Sequence, residues 1–394
     1  MNKKRIALVG YGCRGSGLAK SIFTRFLDRF DFVAVCDKYE DRATAGAEFF
    51  RQNGCDNVLA TQKFDDVLTL RPDAIIVTAA WEVHIPFAIR AMEAGITVGI
   101  EVGGAYTIEQ CFDLVATYER THTPFMFFEN CNYGRLEQMA LHMKNLGVFG
   151  DIVHCEGGYL HDLREEVCSG NEKRHYRFRE YATRNCDNYP THEFGPIMRM
   201  LDIGNGNRPV SLVSMASKAV GLSAYAAQKY PPDHPANHTV FAQGDVVTTL
   251  IRCARGETIT LTLSTTLPRY YSRGFMVQGT RASLFEDTLC LYADGEVQGL
   301  EFAPLKRFNN IEQYYEKYES PLWRAYASAP VGSHGGMDYL IFRDFFERVV
   351  DGNPMPIHVY DAAFMMAVTP LSAASIAAGS TPVEFPDFCR NQKD

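Results

Sequence analysis

Long apolar runs are missing from this 394-residue sequence. No window offers the roughly 20 apolar residues that a membrane-spanning helix needs. The apolar run near the start reaches only from Ile6 to Val9, which is too short for the core of a signal peptide and fits a first β-strand. We therefore expect a cytoplasmic protein with no membrane partner.

Cysteine pairs of the kind that bind zinc or form redox motifs are missing as well. The eleven cysteines are an odd number, and none of them forms a C-x-x-C pair. Neither a disulfide framework nor a zinc site is indicated, and reduced thiols fit the cytoplasm. The clustered histidines at 154, 161 and 175 lack the spacing of metal ligands, and we expect no metal.

An excess of positive charge is also absent. The net charge of −8 argues against nucleic acid or an anionic membrane surface as the main partner. What is present, 46% hydrophobic and 22% charged residues, is typical of a soluble globular protein. The chain is longer than an ordinary domain with a single hydrophobic core, so its length predicts two domains.

In the first third of the chain, apolar strands alternate with helical segments. Helices are predicted near 40–53, 84–94 and 107–120, and strands at 74–79, 96–101 and 125–128. Such alternation builds a parallel, doubly wound sheet. We assign residues 1–130 to this domain.

A glycine-rich turn follows the first strand. In GYGCRG, Gly10, Gly12 and Gly15 have the spacing of a dinucleotide-binding turn. Cys13 and Arg14 lie within this turn and are further candidates for cofactor binding. The glycines would permit the tight turn, the approach of a pyrophosphate and close packing of helix on strand. The start of the next helix would add partial positive charge.

A second strand, DFVAVCD, ends in Asp37, 22 residues after Gly15. An acid at this tip accepts hydrogen bonds from both ribose hydroxyls and repels a 2′-phosphate, which favours NAD over NADP. The alternative interpretation is a glycine turn and a strand-end acid that bind no ligand. We predict an NAD site.

Polar and aromatic residues recur at the ends of the later strands. Ligands of a doubly wound sheet bind at these carboxyl ends. Each residue alone could be a loop residue or a helix cap, and for His84 alone that interpretation is favoured. As a group they are candidates for the cofactor crevice: Trp81, His84, Glu101, Val102, Glu129 and Asn130.

Beyond residue 130, successive strand-like runs predict an antiparallel sheet. The runs are DIVHCEGGY, SLVSMASKAV, DVVTTLIRC, ETITLTLST, GFMVQGT, ASLFED and TLCLYA, with helices near 336–351 and 358–379 and long loops at 222–245 and 303–335. The predicted fold class is α/β: an N-terminal Rossmann sheet (1–130) and a C-terminal α+β domain with a large open, mainly antiparallel sheet (131–394). The last helices should pack back near the domain junction.

This arrangement resembles the Gfo/Idh/MocA oxidoreductase family across essentially the whole chain. Dehydrogenases of that family carry Glu-Lys-Pro after the fifth strand, where this sequence has Glu101-Val102-Gly103. Because valine cannot transfer the proton that the lysine handles, a standard polyol dehydrogenase is not favoured.

Six segments resemble a narrower family, glycoside hydrolase family 109, typified by NAD-dependent α-N-acetylgalactosaminidases. They are WEVH (81–84), EVGGA (101–105), ENCNYGRLE (129–137), EGGYLHDLREE (156–166), NYPTHEFGP (188–196) and SHGGMD (333–338). Where the family carries a Trp-Arg pair that helps to shape the sugar pocket, this sequence has KRHYRFREYATRN in a shorter insert. The implied substrate is an N-acetylgalactosaminide or another hexoside.

The resemblance implies a redox route to hydrolysis, an exception to the usual pair of carboxylates. Bound NAD⁺ takes a hydride from C3 of the sugar, the acidified C2 proton is removed, the aglycone leaves C1, water adds, and the hydride returns. By resemblance, His192 deprotonates the C3 hydroxyl, Tyr159 takes the C2 proton, and Tyr189 and Glu129 complete the catalytic group.

Four further residues are candidate substrate contacts: His161, Arg164, Tyr318 and His334. Tyr159 would need a positive neighbour to act as a base, and His161 or Arg164 could serve. Tyr318 could instead be a core aromatic, and His334 could simply end a loop.

Three interpretations stay open: the redox glycosidase, an NAD-linked sugar or polyol dehydrogenase in which His192 replaces the lysine, and a non-catalytic sensor of NADH or a sugar. In the simplest interpretation of NYPTHEFGP, Pro190 ends a strand, Thr191 caps a helix and His192 is a first-turn residue. The resemblance also leads us to expect a homo-oligomer formed through the C-terminal sheet.

Overall fold

A computed structural model describes residues 3–295, 310–326 and 334–389. The chain divides into two compact units, which we describe separately. The first comprises Met1–Asn130 and Ala329–Phe364, and the second comprises Cys131–Ser328 and Met365–Asp394.

The first unit contains the predicted Rossmann sheet, with six parallel strands in the order β3-β2-β1-β4-β5-β6. The strands are β1 (Lys4–Val9), β2 (Phe30–Cys36), β3 (Leu59–Thr61), β4 (Ala74–Val77), β5 (Thr97–Ile100) and β6 (Phe125–Phe127). Its helices are α1 (Cys13–Ser21), α2 (Glu40–Gln52), α3 (Phe64–Thr69), α4 (Trp81–Glu93), α5 (Ile108–Thr121) and α13 (Met337–Asp351). The prediction did not include β3 and α3, because segments of three and six residues are too short to show a clear period.

Aromatic packing explains why α13, which is remote in sequence, belongs to the first unit. The ring of Phe342 lies 5.0 Å from that of Phe23, edge to face, and the ring of Phe346 lies 4.6 Å from that of Phe30. All four side chains are fully buried. Burying a phenylalanine stabilises a fold by about 1.5–3 kcal/mol, so these contacts hold the helix firmly in this core.

The second unit contains an eight-stranded sheet in the order β13-β12-β11-β7-β10-β9-β8-β14. The strands are β7 (Ile152–Leu160), β8 (Pro209–Ala216), β9 (Val246–Cys253), β10 (Thr258–Ser264), β11 (Met276–Gly279), β12 (Ala282–Phe285), β13 (Cys290–Ala293) and β14 (Val383–Glu384). β7 and β10 are parallel and the other neighbours are antiparallel, which confirms the mainly antiparallel prediction.

The helices of the second unit correct two loop predictions. They are α6 (Arg135–Asn145), α7 (Arg164–Cys168), α8 (Arg177–Thr183), α9 (Thr191–Met200), α10 (Gly221–Lys229), α11 (Glu312–Tyr318) and α12 (Pro321–Tyr326). The stretch 222–245 is not a continuous loop, because α10 buries Leu222 and Ala226 one turn apart. Within 303–335, α11 and α12 form helices, while residues 303–309 and 327–333 lie outside the described residues.

The last helix, α14 (Val359–Ala377), has residues in both units. By length and composition alone it could cross a membrane, a property that the sequence analysis did not find. Most of this segment is buried inside the protein, as in the core helix of a globular fold.

Candidate functional site

The glycine turn of the first unit has the geometry of a nucleotide cradle. Gly10 has a φ of +97°, and a Cβ there would lie 2.5 Å from the amide nitrogen of Ala79. A Cβ on Gly15 would lie 2.6 Å from Thr78 Oγ1. At Gly12, by contrast, the nearest atom to a Cβ is Arg42 Nη1 at 3.5 Å, so the protein itself does not require glycine there. The close approach of a phosphate would require it, and the turn therefore fits a dinucleotide.

The start of α1 fits the same group. The first amides of a helix have no intrahelical partner and attract anions. Gly12 occupies the N-cap position without a side-chain cap, and Cys13, the first helical residue, is exposed.

Asp37 lies directly after β2 and is nearly buried. Its carboxylate accepts hydrogen bonds from the amides of Tyr11 at 2.7 Å and Tyr39 at 2.9 Å. The residue thus holds the glycine turn in addition to the ribose contact predicted for it. A carboxylate has about four acceptor positions, so two bonds leave capacity for a ligand.

The residues at the tips of β4 and β5 are packed rather than open. The indole of Trp81 covers Gly103, where a Cβ would lie 2.5 Å from Trp81 Cδ1. His84 Nε2 lies 3.0 Å from the carbonyl oxygen of Ala79, and burial lowers the pKa of His84 to about 4. The neutral imidazole therefore donates this bond and fixes the loop. Val102 is also buried.

An ionic network with buried carboxylates joins the glycine turn to α13. Arg14 donates from Nε to Glu101 at 2.7 Å and from both terminal nitrogens to Asp338 at 2.8 Å. Burial alone would raise the pKa of Asp338, but the bonds from Arg14 and His334 outweigh it and hold that pKa well below its usual range. Asp338 thus keeps its negative charge although it is fully buried.

Two predicted residues complete this network. Asn130 Nδ2 donates to Asp338 at 2.8 Å, and His334 Nδ1 lies 2.8 Å from the same carboxylate. His334 has a φ of +52°, an uncommon conformation for a residue with a side chain. Glu129, two residues after the end of β6, is fully buried. The predicted sugar contact His334 therefore belongs to the unit that carries the cofactor residues.

In the second unit, the segment NYPTHEFGP forms the start of α9. Pro190 occupies the N-cap position and Thr191 is already helical, so the alternative interpretation of Thr191 as the helix cap is wrong. Proline is well suited to a helix start because its φ is fixed. Tyr189 and His192 lie on the same side of this turn, with 3.3 Å between Tyr189 Oη and His192 Nε2.

Tyr159, near the end of β7, meets this pair. Its ring centroid lies 4.2 Å from that of Tyr189 and 5.6 Å from that of His192. Its hydroxyl lies 3.2 Å from His161 Nδ1. The sheet and α9 thus bring together four predicted residues: Tyr159, His161, Tyr189 and His192.

The positive neighbour of Tyr159 is Arg177, which the sequence analysis did not select. Its guanidinium lies 5.2 Å from the ring centroid of Tyr189 and pairs with Glu166 at 2.8 Å. Burial raises the pKa of Tyr159 to about 12, although Arg177 opposes the increase. Tyr159 is therefore protonated at neutral pH. The basic, aromatic run from Lys173 to Arg184 was the available signal for Arg177.

Two predicted substrate contacts have other partners. Arg164 pairs with Asp162 at 2.7 Å and lies over the ring of Tyr225, so Arg177, not Arg164, is the cation beside Tyr159. Tyr318 is buried against Tyr314, with Lys317 Nζ 4.7 Å from its ring centroid. Packing accounts for the position of Tyr318.

Tyr271 is a further residue that the sequence analysis missed. Its ring lies 5.2 Å from that of His161, edge to face, and the side chain is 46% exposed. It stands in the loop between β10 and β11, where PRYYSR carries no periodic pattern. Tertiary pairing brings it to the cluster, because the neighbouring Ser272 forms a β-bridge with Leu160 at the end of β7.

Family models cover nearly the whole chain. Residues 4–128 match the model "Oxidoreductase family, NAD-binding Rossmann fold", which defines the class of the first unit. Residues 133–393 match "Glycosyl hydrolase 109, C-terminal domain". The chain belongs to glycoside hydrolase family 109, with an NAD-binding Rossmann domain.

Two relatives support this assignment. The chain is 39% identical over 342 residues to the alpha-N-acetylgalactosaminidase of Tannerella forsythia, and the alignment covers 81% of this chain and 71% of the relative. It is 36% identical over 414 residues to a glycosyl hydrolase family 109 protein of Stenotrophomonas maltophilia, and this alignment covers 98% of this chain and 89% of the relative.

Solved structures share the fold at low identity. An NAD binding oxidoreductase from Klebsiella pneumoniae has a TM-score of 0.72 at 15% identity, covering 98% of this chain and 99% of that one. An inositol dehydrogenase homolog from Azotobacter vinelandii, complexed with NADH and myo-inositol, has a TM-score of 0.68 at 16% identity, covering 98% of both.

We expect Asp37→Ala to weaken NAD binding more than NADP binding. The substitution removes the predicted ribose contact, but it also removes the repulsion of a 2′-phosphate. Loss of the bonds to Tyr11 and Tyr39 should weaken both cofactors equally, so the ratio of the two dissociation constants is the informative quantity. Calorimetric titration of both cofactors measures it, and an unchanged ratio would refute the assignment of Asp37.

Proposed function

We propose that the protein hydrolyses glycosides, N-acetylgalactosaminides or other hexosides, with NAD as a tightly bound cofactor that is recycled in each turnover. The observation that carries this proposal is the cluster of phenols and imidazoles in the family 109 domain. Glycosidases ordinarily place two carboxylates beside the scissile bond. Tyr159, Tyr189 and His192 suit proton transfers next to a ketone instead.

The glycine turn and Asp37 would hold the cofactor, which when bound would accept a hydride from C3 of the sugar and later return it. His192 would take the proton of the C3 hydroxyl, because an imidazole nitrogen can act as a general base. Tyr189, 3.3 Å from His192 Nε2, would orient that imidazole.

Removal of the C2 proton falls to Tyr159. Because its phenol is protonated at neutral pH, it can accept this proton only by passing its own to a neighbour. His161 is placed to receive it at 3.2 Å, and burial followed by the charge of Arg177 lowers the pKa of His161, so that the imidazole is available as an acceptor. The C2–H and C1–O bonds then break, and the aglycone leaves with one proton.

Arg177 would favour this step electrostatically. Negative charge develops on the C3 oxygen as the C2 proton leaves, and a buried cation stabilises such charge more strongly than one in water. Arg177 is buried and already interacts with Tyr159. Water would then add its hydroxyl to C1, and its remaining proton would replace the one that left with the aglycone. C2 would regain its proton, and return of the hydride and a proton to C3 would restore the alcohol, so the hydrolysis involves no net oxidation.

The direct test is to incubate the purified holoprotein with nitrophenyl glycosides of both anomers, including N-acetylgalactosaminides. We expect release of nitrophenol without added NAD and without accumulation of reduced cofactor. Stoichiometric NADH formation that depends on added NAD would instead indicate a sugar dehydrogenase. A protein that binds NADH or sugar but does neither would be a sensor.

Two variants should stop the reaction at different points. We expect His192→Ala to lower kcat by about 10²–10⁴-fold, because it removes the base for the C3 hydroxyl, and to leave the cofactor oxidised. Tyr159→Phe keeps the ring contact with Tyr189 but should stall later, with reduced cofactor visible by its absorbance.

His154→Ala is the matched control for these variants. His154 also lies on β7, but it bonds to Thr258 and Glu156 instead of the cluster. The His154→Ala variant should have the same kcat as the natural protein. A near-normal kcat of His192→Ala would contradict the proposal and show that the segment NYPTHEFGP has only a structural role.

Self-association through the C-terminal sheet is a second expected property. Met215 on β8 and Leu250 on β9 are 64% and 51% exposed. Met215 pairs with Thr248, which lies two residues from Leu250 on β9, so Met215 and Leu250 share the exposed face of the sheet. We expect the double variant Met215→Glu, Leu250→Glu to be smaller in solution than the natural protein by light scattering. A natural protein that is already monomeric would contradict the proposal.

A further inference from the structure

The helix α2, which follows the predicted ribose acid, packs against the glycine turn. Tyr39 is the N-cap residue of α2, and its amide donates to Asp37 at 2.9 Å. Further along the helix, a Cβ on Gly46 would lie 2.7 Å from Cγ of Tyr11, which stands inside the turn. Because glycine has no Cβ, α2 can approach the turn this closely.

Arg42 lies on the same side of α2 as Gly46, since residues four positions apart on a helix are neighbours. Its Nη1 lies 3.5 Å from the position that a Cβ on Gly12 would take. Its Cζ lies 4.9 Å from the ring centroid of Tyr39, and its amide donates to the Tyr39 carbonyl at 3.1 Å. The first turn of α2 thus holds the guanidinium beside Gly12. Both Arg42 and Gly12 are partly exposed, so a ligand can reach them.

Gly12 is also the point at which a dinucleotide approaches the backbone. In a turn of this type, the second glycine lets the backbone come close to the pyrophosphate. A guanidinium is always charged, and its five N–H donors suit phosphate oxygens, so it can bind a phosphate beside other partners. We propose that Arg42 binds the pyrophosphate of the cofactor together with the backbone at Gly12.

The arginine inside the turn has a different role. All three side-chain nitrogens of Arg14 donate to carboxylates, Nε to Glu101 and the two terminal nitrogens to Asp338. Glu101 follows β5 and Asp338 lies on α13, whereas Arg42 reaches the turn from α2. Arg14 therefore positions the turn, and Arg42 supplies a cation next to the phosphate.

The inference rests on one part of the proposed function, the binding of NAD, and it does not depend on cleavage of a glycoside. A binding measurement without sugar therefore tests it. After removal of bound cofactor, the full chain is titrated by calorimetry with four ligands: NAD, NADP, ADP-ribose and adenosine. Adenosine has the base and the ribose of NAD but no phosphate.

We expect Arg42→Gln to raise the dissociation constants of NAD and ADP-ribose about tenfold, because a hydrogen bond between charged groups is lost. The dissociation constant of adenosine should not change. Arg42→Lys keeps the charge but not the planar set of donors, so its constants for NAD and ADP-ribose should lie between those of the natural protein and of Arg42→Gln. Thermal unfolding checks that each variant is folded.

Arg51→Gln is the matched control. Arg51 lies near the end of the same helix, about 14 Å along its axis from Arg42, and donates to the carbonyl of Val58. The substitution also removes a positive charge from α2, but at a distance from the turn. All four dissociation constants should equal those of the natural protein.

Three results would overturn the inference. An unchanged affinity of Arg42→Gln for NAD would show that Arg42 only packs on Tyr39. An equal loss for adenosine would place Arg42 at the base or the ribose, and a loss for NADP alone would place it at the 2′-phosphate. A natural protein that binds neither NAD nor ADP-ribose would instead contradict the proposed cofactor itself, so the failure of one proposal is distinguishable from the failure of the other.

Discussion

A charge removed from water must be paired, and this constraint shapes the candidate site residues of both units. Burial of an unpaired charge costs far more than a hydrogen bond returns. Arg14 therefore holds two carboxylates and ties the glycine turn to α13, while Arg177 holds Glu166 beside the tyrosines. In each unit, one arginine, half-buried Arg14 or buried Arg177, fixes side chains that the chemistry would use.

The same constraint decides which groups are ionised. Asp338 keeps its charge because it accepts bonds from Arg14, Asn130 and His334. Tyr159 keeps its proton because burial outweighs Arg177, and its pKa rises to about 12. The proton chemistry of the second unit therefore depends on transfer between neighbours, and the hydrogen bond between Tyr159 and His161 provides the path.

Much of the candidate site was predictable because local sequence rules govern it. The glycine spacing, the acid 22 residues later and the resemblance of NYPTHEFGP to a known segment all depend on neighbours in the chain. Arg177 and Tyr271 were missed because nothing in their local pattern separates them from a solvated basic helix or a loop. His161 and Arg164 were the two candidates for the positive neighbour of Tyr159, but Arg164 pairs with Asp162, two residues away in the chain.

The sequence alone determined the fold class and the nucleotide turn, since periodicity and motif spacing are properties of adjacent residues, and the resemblance of six segments indicated the family. Only the tertiary structure decided that Asp338 would bind Arg14, 324 residues away, and that β7 would pair with β10 in parallel. It also decided the protonation of Tyr159, because a pKa depends on burial and on charges from distant segments. Those quantities exist only once the chain has folded.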